Sequence, residues 1–235
     1  MPATLDSAFS ALRSYDQGSS RGALLPIDEA VVAALPDPAA RLALETRLLG
    51  ALSAGGSGVA LEYLCAKLTV IGSALAVPAL AALLDQPALT TAARNALEAS
   101  PHPEAAAALR AQLPRLKGVL LVGVIQSLGI RRDPASVPAL ALLLPHATPS
   151  ITSAAAAALG EIGTPAAAQA LTAFFPNAPA PLQSALADAC LVCADRLVAA
   201  YQRTAAQLLY HLLSAPSQPK HIQQAAARGL QSPPR

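Results

Sequence analysis

Leucine residues recur at fixed intervals along the middle of the chain. They form two series, Leu68, Leu97, Leu128 and Leu159 in the first and Leu80, Leu109, Leu140 and Leu171 in the second. Both series have spacings of 29, 31 and 31 residues, and each member of the second follows its partner by 12 residues. Two series that stay in phase over four units predict an array of stacked helix pairs with these leucines in the core.

Hydrophobic periodicity and turn residues predict the two helices of each unit. Proline opens most of them, which is its tolerated place in a helix. Pro78 and Pro138 occupy the same position of a repeated VPAL motif, in a first turn where the missing N–H costs little. The predicted pairs are 58–71 with 74–85, 87–99 with 103–113, 114–129 with 134–144, and 149–162 with 165–175.

The flanking segments follow the pattern less closely and predict terminal helices. These are 3–14, 26–35 and 37–53 before the array, and 179–196, 198–214 and 218–230 after it. We predict divergent capping helices over 1–57, regular repeats over 58–196, capping helices over 197–230 and a disordered tail over 231–235. Alternatively, the chain ends where a longer array would continue, because 225–230 is still repeat-like.

Three segments carry a likeness to a known family: LCAKLTVIGSALAVPALAALL, SLGIRRDPASVPALALLL and ITSAAAAALGEIGTPAAAQALTAFF. They resemble HEAT repeats, specifically the short bacterial repeats of phycobilisome-lyase-type proteins. The resemblance implies an all-α fold, a right-handed α-solenoid of about 12–14 helices. It also implies that the VPAL helices are outer and that the helices with Leu97, Leu128 and Leu159 line a concave groove. Asp133 retains the aspartate of the family's loop, whereas Thr164 replaces it in the next unit.

Composition agrees with an all-α fold and also indicates the cellular compartment to expect. Apolar residues make up 54 % of the chain and aromatic residues 3 %, so the core consists of alanine and leucine, both strong helix formers. The longest uncharged stretches, such as 68–84, are interrupted by Gly72 and Pro78 and predict two short helices rather than one membrane span. No signal peptide is recognisable, and three cysteines do not make a disulfide framework. We expect a cytoplasmic protein.

The sequence offers little for catalysis, so we predict a protein that is not an enzyme and needs no cofactor or metal. The four histidines are dispersed, tryptophan is absent, and neither a phosphate-binding loop nor a GxSxG motif is present. Cys190 and Cys193 form a CxxC pair in the middle of a predicted helix. Because Cys190 falls on the leucine series, we interpret both as small buried hydrophobic residues.

Charge is balanced overall but unevenly distributed. The formal charge of +2 argues against a general nucleic-acid binder. Residues 105–132 contain five bases and no acid, with Arg115 and Arg131 about 24 Å apart if one helix joins them. Arg131 and Arg132 either complement the dipole of that helix or grip an acidic partner. Glu161 is the only formally charged residue over 134–187, which is either a docking surface or a plain surface of small residues.

We therefore hypothesise an interaction scaffold that binds a protein, another copy of the chain included, along its inner helices. A tetrapyrrole or other apolar-ligand carrier, or a lyase-like enzyme, is the alternative implied by the resemblance, and a membrane-surface module is a second one. The candidate partner-binding residues are Arg94, Asn95, Arg115, Lys117, Gln126, Arg131, Arg132 and Ser153.

Overall fold

The computed structural model describes residues 4–231. Internal contacts divide the chain after Gln112 into two compact units, which we call the N-terminal and the C-terminal unit. The described residues form fourteen α-helices joined by turns and short 3-10 segments, with no strand among them. The prediction of an all-α fold of paired helices is confirmed. No helix within 4–231 is both long enough and apolar enough to cross a bilayer.

Seven helices make up the described part of the N-terminal unit. Helix α4 packs against α6, α5 packs against α7, and α3 contacts both α2 and α4. Alternate helices therefore stack on each other, and contacts of α6 with α5 and α7 join successive helices, as expected for stacked helix pairs. Their bounds are α1 (Leu5–Ala11), α2 (Leu25–Ala34), α3 (Pro38–Ala54), α4 (Gly58–Ile71), α5 (Val77–Ala81), α6 (Thr90–Ala99) and α7 (Pro103–Gln112).

Up to residue 231, the C-terminal unit also has seven helices, and they form two layers. Helix α10 packs between α8 and α12 in what we call the first layer. Helix α11 packs against α9 and α13 in the second layer. The bounds are α8 (Gly118–Ile130), α9 (Val137–Ala141), α10 (Pro149–Ile162), α11 (Pro165–Phe174), α12 (Gln183–Ala199), α13 (Arg203–Leu213) and α14 (Lys220–Gln231).

The leucines of both series lie in the core. All eight side chains are at most 2 % exposed, which confirms the interpretation of the repeat spacing. Cys190, one interval beyond Leu159, is fully buried as well. The first series belongs to helices α4, α6, α8 and α10, and the second to α5, α7, α9 and α11. The regular spacing in sequence therefore records one packing position that each helix pair repeats.

Two glycines allow the helices of the first layer to approach each other closely. A Cβ on Gly129 of α8 would lie 2.8 Å from the Cα of Ala158 on α10. A Cβ on Gly160 of α10 would lie 2.6 Å from the backbone oxygen of Ala189 on α12. No side chain larger than hydrogen fits these contacts, since they are made against backbone atoms. The first layer is consequently held at close spacing by residues that recur 31 positions apart.

Several predicted helix starts agree with the structure, whereas others are wrong. Pro78 and Pro138 do lie in the first turns of α5 and α9, although these helices span only five residues before continuing as turns. The helix predicted from residue 87 begins at Thr90, because the preceding segment forms turns with Leu89 and Thr90 bonded to the carbonyl of Gln86. The helix predicted from residue 114 begins at Gly118, which has a left-handed φ of 54°.

The single helix predicted over 198–214 is also wrong. Helix α12 continues to Ala199, and α13 begins at Arg203. Tyr201, with a φ of 61°, separates them. The N–H of Tyr201 donates to the carbonyl of Val198, and the N–H of Gln202 donates to that of Leu197, which is a Schellman termination. At the C-terminus, Gln231 ends α14, and the remainder of the predicted tail, 232–235, lies outside the described residues, as does Ala3.

Candidate interaction face

The helices of the first layer expose equivalent positions on the side away from the second layer. On α8 these are Val119, Gln126 and Ile130. The positions 31 residues further along are Ser150, Ala157 and Glu161 on α10, and another 31 residues lead from the last two to Asp188 and Val192 on α12. We call this surface, together with the half-buried Ser153 of α10, the first-layer face, and its residues are Val119, Gln126, Ile130, Ser150, Ser153, Ala157, Glu161, Asp188 and Val192.

Helix α8 has no ionisable residue, although one side of it faces solvent. Its thirteen residues read GVLLVGVIQSLGI. Val119 is 82 % exposed and Ile130 is 63 % exposed, with Gln126 between them. A helix of a globular protein normally carries charged or polar residues on its solvent side, so an exposed apolar strip of this kind marks a candidate interaction site.

Most side chains that α10 contributes to the face protrude little from the helix surface. Its exposed or half-buried positions are Pro149, Ser150, Ser153, Ala157 and Glu161, and all of them except Glu161 have short side chains. Val119 and Ile130 on α8 and Val192 on α12 stand on either side of them. The first-layer face is therefore a shallow channel with an uncharged edge on α8, a floor of mainly small residues on α10, and an edge on α12 where Asp188 lies beside Val192. Interaxial distances between packed helices depend on the side chains at the contact, so small residues permit close approach of a partner.

Basic residues lie at both ends of α8. Lys117 precedes the first residue of the helix and is exposed, as is Arg115. Arg115 lies three residues before Gly118, so the prediction that one helix includes both Arg115 and Arg131 is wrong. Arg132 is exposed beyond the other end, whereas Arg131 is half-buried. Fifteen residues separate Lys117 from Arg132, or about 22 Å along a helix axis.

Arg132 has a backbone conformation that favours glycine. Its φ is 50°, and it terminates α8 in a Schellman motif. The N–H of Arg132 donates to the carbonyl of Gly129 at 2.8 Å, and the N–H of Asp133 donates to that of Leu128 at 3.2 Å. In the next unit the equivalent position, 31 residues later, is Gly163, with a φ of 61°. The chain therefore places a long cationic side chain where glycine would be more stable.

Replacing Arg132 by glycine is expected to raise the free energy of unfolding by about 1 kcal/mol, because the left-handed conformation costs an ordinary residue roughly that much. Arg132→Ala is the matched control, since it removes the same charge but keeps the unfavourable conformation. Chemical denaturation of both variants measures the difference. If Arg132→Ala and Arg132→Gly are equally stable, the backbone of Arg132 is not a source of strain.

The two candidate residues in the N-terminal unit differ in accessibility. Asn95 on α6 is exposed, at the position 31 residues before Gln126. The side chain of Arg94 is only 15 % exposed, and its Nη1 lies 3.5 Å from Oε1 of Glu98, one turn further along the same helix. Their binding role remains a prediction, and Arg94 would have to exchange this ion pair to meet a partner.

The ion pair between Arg196 and Glu161 removes the one charge that the sequence shows over 134–187. Glu161 is on α10 and Arg196 is on α12, and their side chains are both part-exposed. Gly163 packs directly against Arg196, because a Cβ there would lie 2.4 Å from the Cβ of the arginine. The edge of the channel at the C-terminal end of α10 is consequently neutralised by a neighbouring helix, which sequence analysis did not predict.

A second polar cluster, also missed by sequence analysis, joins α2 to α4 in the N-terminal unit. Oδ1 of Asp28 accepts from the Tyr63 hydroxyl at 2.9 Å and lies 2.5 Å from Nζ of Lys67. Burial favours the neutral acid, but the hydrogen bonds from Lys67 and Tyr63 outweigh it and hold the pKa of Asp28 below its ordinary value. Burial, followed by the hydrogen bond to Asp28, raises the pKa of Tyr63. Each group already has a partner within the cluster, so we interpret it as structural.

The cysteines are placed as the sequence predicts, in the core. Cys65, Cys190 and Cys193 are all buried and reduced. Burial raises the pKa of Cys65 to about 11 and those of Cys190 and Cys193 to about 12, so the reactive thiolate is scarce at neutral pH. Over residues 4–231, no group of three or more His, Cys, Asp or Glu residues is arranged to hold a metal ion.

The paired helices, the buried leucine series and the repeated exposed positions define a helical-repeat protein. The family model for HEAT repeats matches residues 120–191, from α8 to α12, so this part of the chain is similar to HEAT repeats. The match is to HEAT repeats in general, so the lyase-type likeness remains an expectation from the sequence. Among curated proteins, no match to this chain is found. HEAT repeats generally mediate protein–protein interaction.

Proposed function

We propose that the protein is a non-enzymatic scaffold or adaptor that holds a protein partner on the first-layer face of its C-terminal unit. The observation that carries this proposal is the uncharged helix α8, which leaves Val119 and Ile130 largely exposed between basic residues. Interfaces combine a core depleted in charge with a polar rim, and α8 with its flanking residues has this composition.

The packing of the first layer supports the same function. Gly129 and Gly160 bring α8, α10 and α12 into backbone contact, so the channel is formed before a partner arrives. Binding to a preformed surface avoids much of the entropy cost of ordering side chains and loops. A face that is rigid and shaped in advance suits a scaffold, whose task is to hold another protein.

The location of the exposed apolar residues indicates which helix contributes most to the proposed binding site. Over 134–187, the only large apolar side chain that is mostly exposed is Leu142, which belongs to the second layer rather than to the channel. The remainder of that stretch, in which Glu161 is the one formally charged residue, exposes mainly alanine, proline, serine and threonine. The apolar contact area is consequently concentrated on α8, and residues 134–187 contribute the small residues of α10.

Affinity capture from a native lysate, followed by mass spectrometry, tests the function with a matched pair of variants. Val119→Asp places a charge in the exposed strip of α8, and Val32→Asp makes the same change at an exposed valine of α2 in the N-terminal unit. We expect Val119→Asp to weaken partner binding at least about tenfold, as for a central interface residue. Val32→Asp should bind as the wild type does.

Two outcomes would contradict the proposal. If no protein is captured specifically by the wild-type chain, the scaffold function fails. If a partner is captured equally well by both variants, a protein is bound but the first-layer face is not where it binds. Thermal melts of both variants, followed by circular dichroism, establish that each remains folded.

A further inference from the structure

We infer that the occupant of the first-layer face is an α-helical segment of a partner protein, apolar along its middle and carrying carboxylates at both ends. The inference rests on the proposed function and adds the chemistry of the partner. It follows from the charges around α8, the distance between them, the backbone chemistry of the face and the conformation of Arg132.

The charges call for an acidic partner. Residues 105–132 contain no acid, and the sequence of residues 113–235 contains nine Lys or Arg against four Asp or Glu. Lys117 and Arg115 lie before α8, and Arg132 lies after it. The two carboxylates of the face lie away from α8, since Asp188 is on α12 and Glu161 on α10 is paired with Arg196. Carboxylates on a bound segment would therefore meet cations at both ends of the strip and apolar side chains between them. Such complementary charges set the orientation and the association rate more than they add to affinity.

The distance between the cations sets the length of the segment. About 22 Å of helix axis separates Lys117 from Arg132, which corresponds to about 15 residues or four turns of a bound helix. A helix of that length aligned with α8 brings its two ends to the two cations. Ser150, Ser153 and Ala157 on α10 leave room beside α8 for its side chains, because none of them extends far from the surface.

The backbone chemistry of the face favours a helix over an extended peptide. An extended segment leaves its main-chain N–H and C=O groups to be bonded by its binding site, for example by the open edge of a sheet. The first-layer face is formed by three helices, whose main-chain groups are bonded within each helix, and it offers only side chains. A helical segment satisfies its own backbone and presents apolar side chains at positions i, i+3, i+4 and i+7 to the strip of Val119, Gln126 and Ile130.

The backbone conformation of Arg132 is a further reason to expect a carboxylate of the partner at the C-terminal end of α8. Glycine occupies the equivalent left-handed position at Gly163, so the repeat itself does not require arginine there. At Arg132 the chain accepts a local cost in stability and obtains an exposed guanidinium, which can bind a carboxylate with two parallel hydrogen bonds. A nucleic acid, in contrast, binds through its phosphates to a continuous row of basic side chains. Here the apolar strip of α8 separates the basic residues at its two ends.

A peptide-display selection against the immobilised full-length chain tests the inference. The probe is a library of random 18-residue peptides. We expect enrichment of peptides with helical apolar periodicity and Asp or Glu near both ends, about 15 residues apart. Lys117→Glu combined with Arg132→Glu should weaken binding of these peptides at least tenfold and should instead enrich peptides with Lys or Arg at the ends. Lys220→Glu on α14 is the control, because it changes a charge of the same unit outside the face.

Several results would overturn the inference. One is enrichment of peptides that lack acidic residues at their ends. Another is enrichment of the same peptides by the variant that combines Lys117→Glu with Arg132→Glu. A third is that the wild-type chain enriches no peptide over a surface without protein. If the wild-type chain self-associates in sedimentation and Val119→Asp abolishes this, the occupant is a second copy. The proposed scaffold function would survive each of these results if lysate capture still depends on Val119.

Discussion

Replacing Leu140 by alanine is expected to lower the free energy of unfolding by about 2–5 kcal/mol, the usual cost of truncating a fully buried leucine. Leu140 lies in α9, belongs to the second leucine series and has no exposed surface. Its removal leaves a cavity where a fully buried side chain was packed, and the surrounding helices can close that cavity only in part. Chemical denaturation followed by circular dichroism measures the change.

Leu142→Ala is the matched control, two residues further along the same segment. Leu142 is 80 % exposed, so we expect a change of no more than about 0.5 kcal/mol. Similar losses at Leu140 and Leu142 would show that the leucine series does not mark the core. A small loss at both positions would indicate that the C-terminal unit is not stabilised by this packing.

Replacing Gly160 by alanine is expected to destabilise the protein by about 1–3 kcal/mol, because an added methyl group overpacks the contact between α10 and α12. The new Cβ would lie 2.6 Å from the backbone oxygen of Ala189, and backbone atoms cannot move aside as a flexible side chain can. Helix propensity alone predicts the opposite sign, since alanine is favoured over glycine within a helix by about 0.8–1.0 kcal/mol. The sign of the measured change therefore separates packing from propensity.

Gly50→Ala supplies the comparison in the N-terminal unit. Gly50 lies within α3, and a Cβ there would meet no atom within 4 Å. We expect this substitution to raise the free energy of unfolding by about 0.5–1 kcal/mol. Thermal melts of Gly160→Ala, Gly50→Ala and the wild type measure both effects. If Gly160→Ala stabilises the protein, α10 and α12 are less closely packed than their contact distance implies.

The helix pairs and their core were predictable because both depend on local, repeated chemistry. Leu128 and Leu159 recur at a fixed interval because each helix pair buries one leucine at the same place. This spacing can be recognised even though the other residues of the repeats differ. The prolines at residues 78 and 138 were also placed correctly, because their helix-opening role depends only on the absence of an N–H. Asn95 and Gln126 are exposed at equivalent positions, whereas their expected place on an inner, partner-binding surface stays a prediction.

Features that depend on the tertiary environment or on backbone conformation were not predictable. Glu45 is 1 % exposed and accepts hydrogen bonds from the N–H and hydroxyl of Ser73, yet nothing in its neighbourhood in sequence distinguishes it from a surface glutamate. Tyr201 ends α12 in a left-handed conformation that favours glycine, so the sequence indicated a continuing helix instead. Arg132 was singled out for its charge, but its unfavourable φ could not be inferred from its residue type.

The arrangement of α8, α10 and α12 has a consequence for how this protein can change over evolution. The residues that hold the layer together, such as Gly129 and Gly160, and the residues that face outward, such as Gln126 and Ala157, occupy different positions of the same repeat. A substitution at an outward position leaves the helix contacts intact. The chain can therefore acquire new binding preferences one residue at a time without losing its fold, while its spacing residues remain under constant constraint.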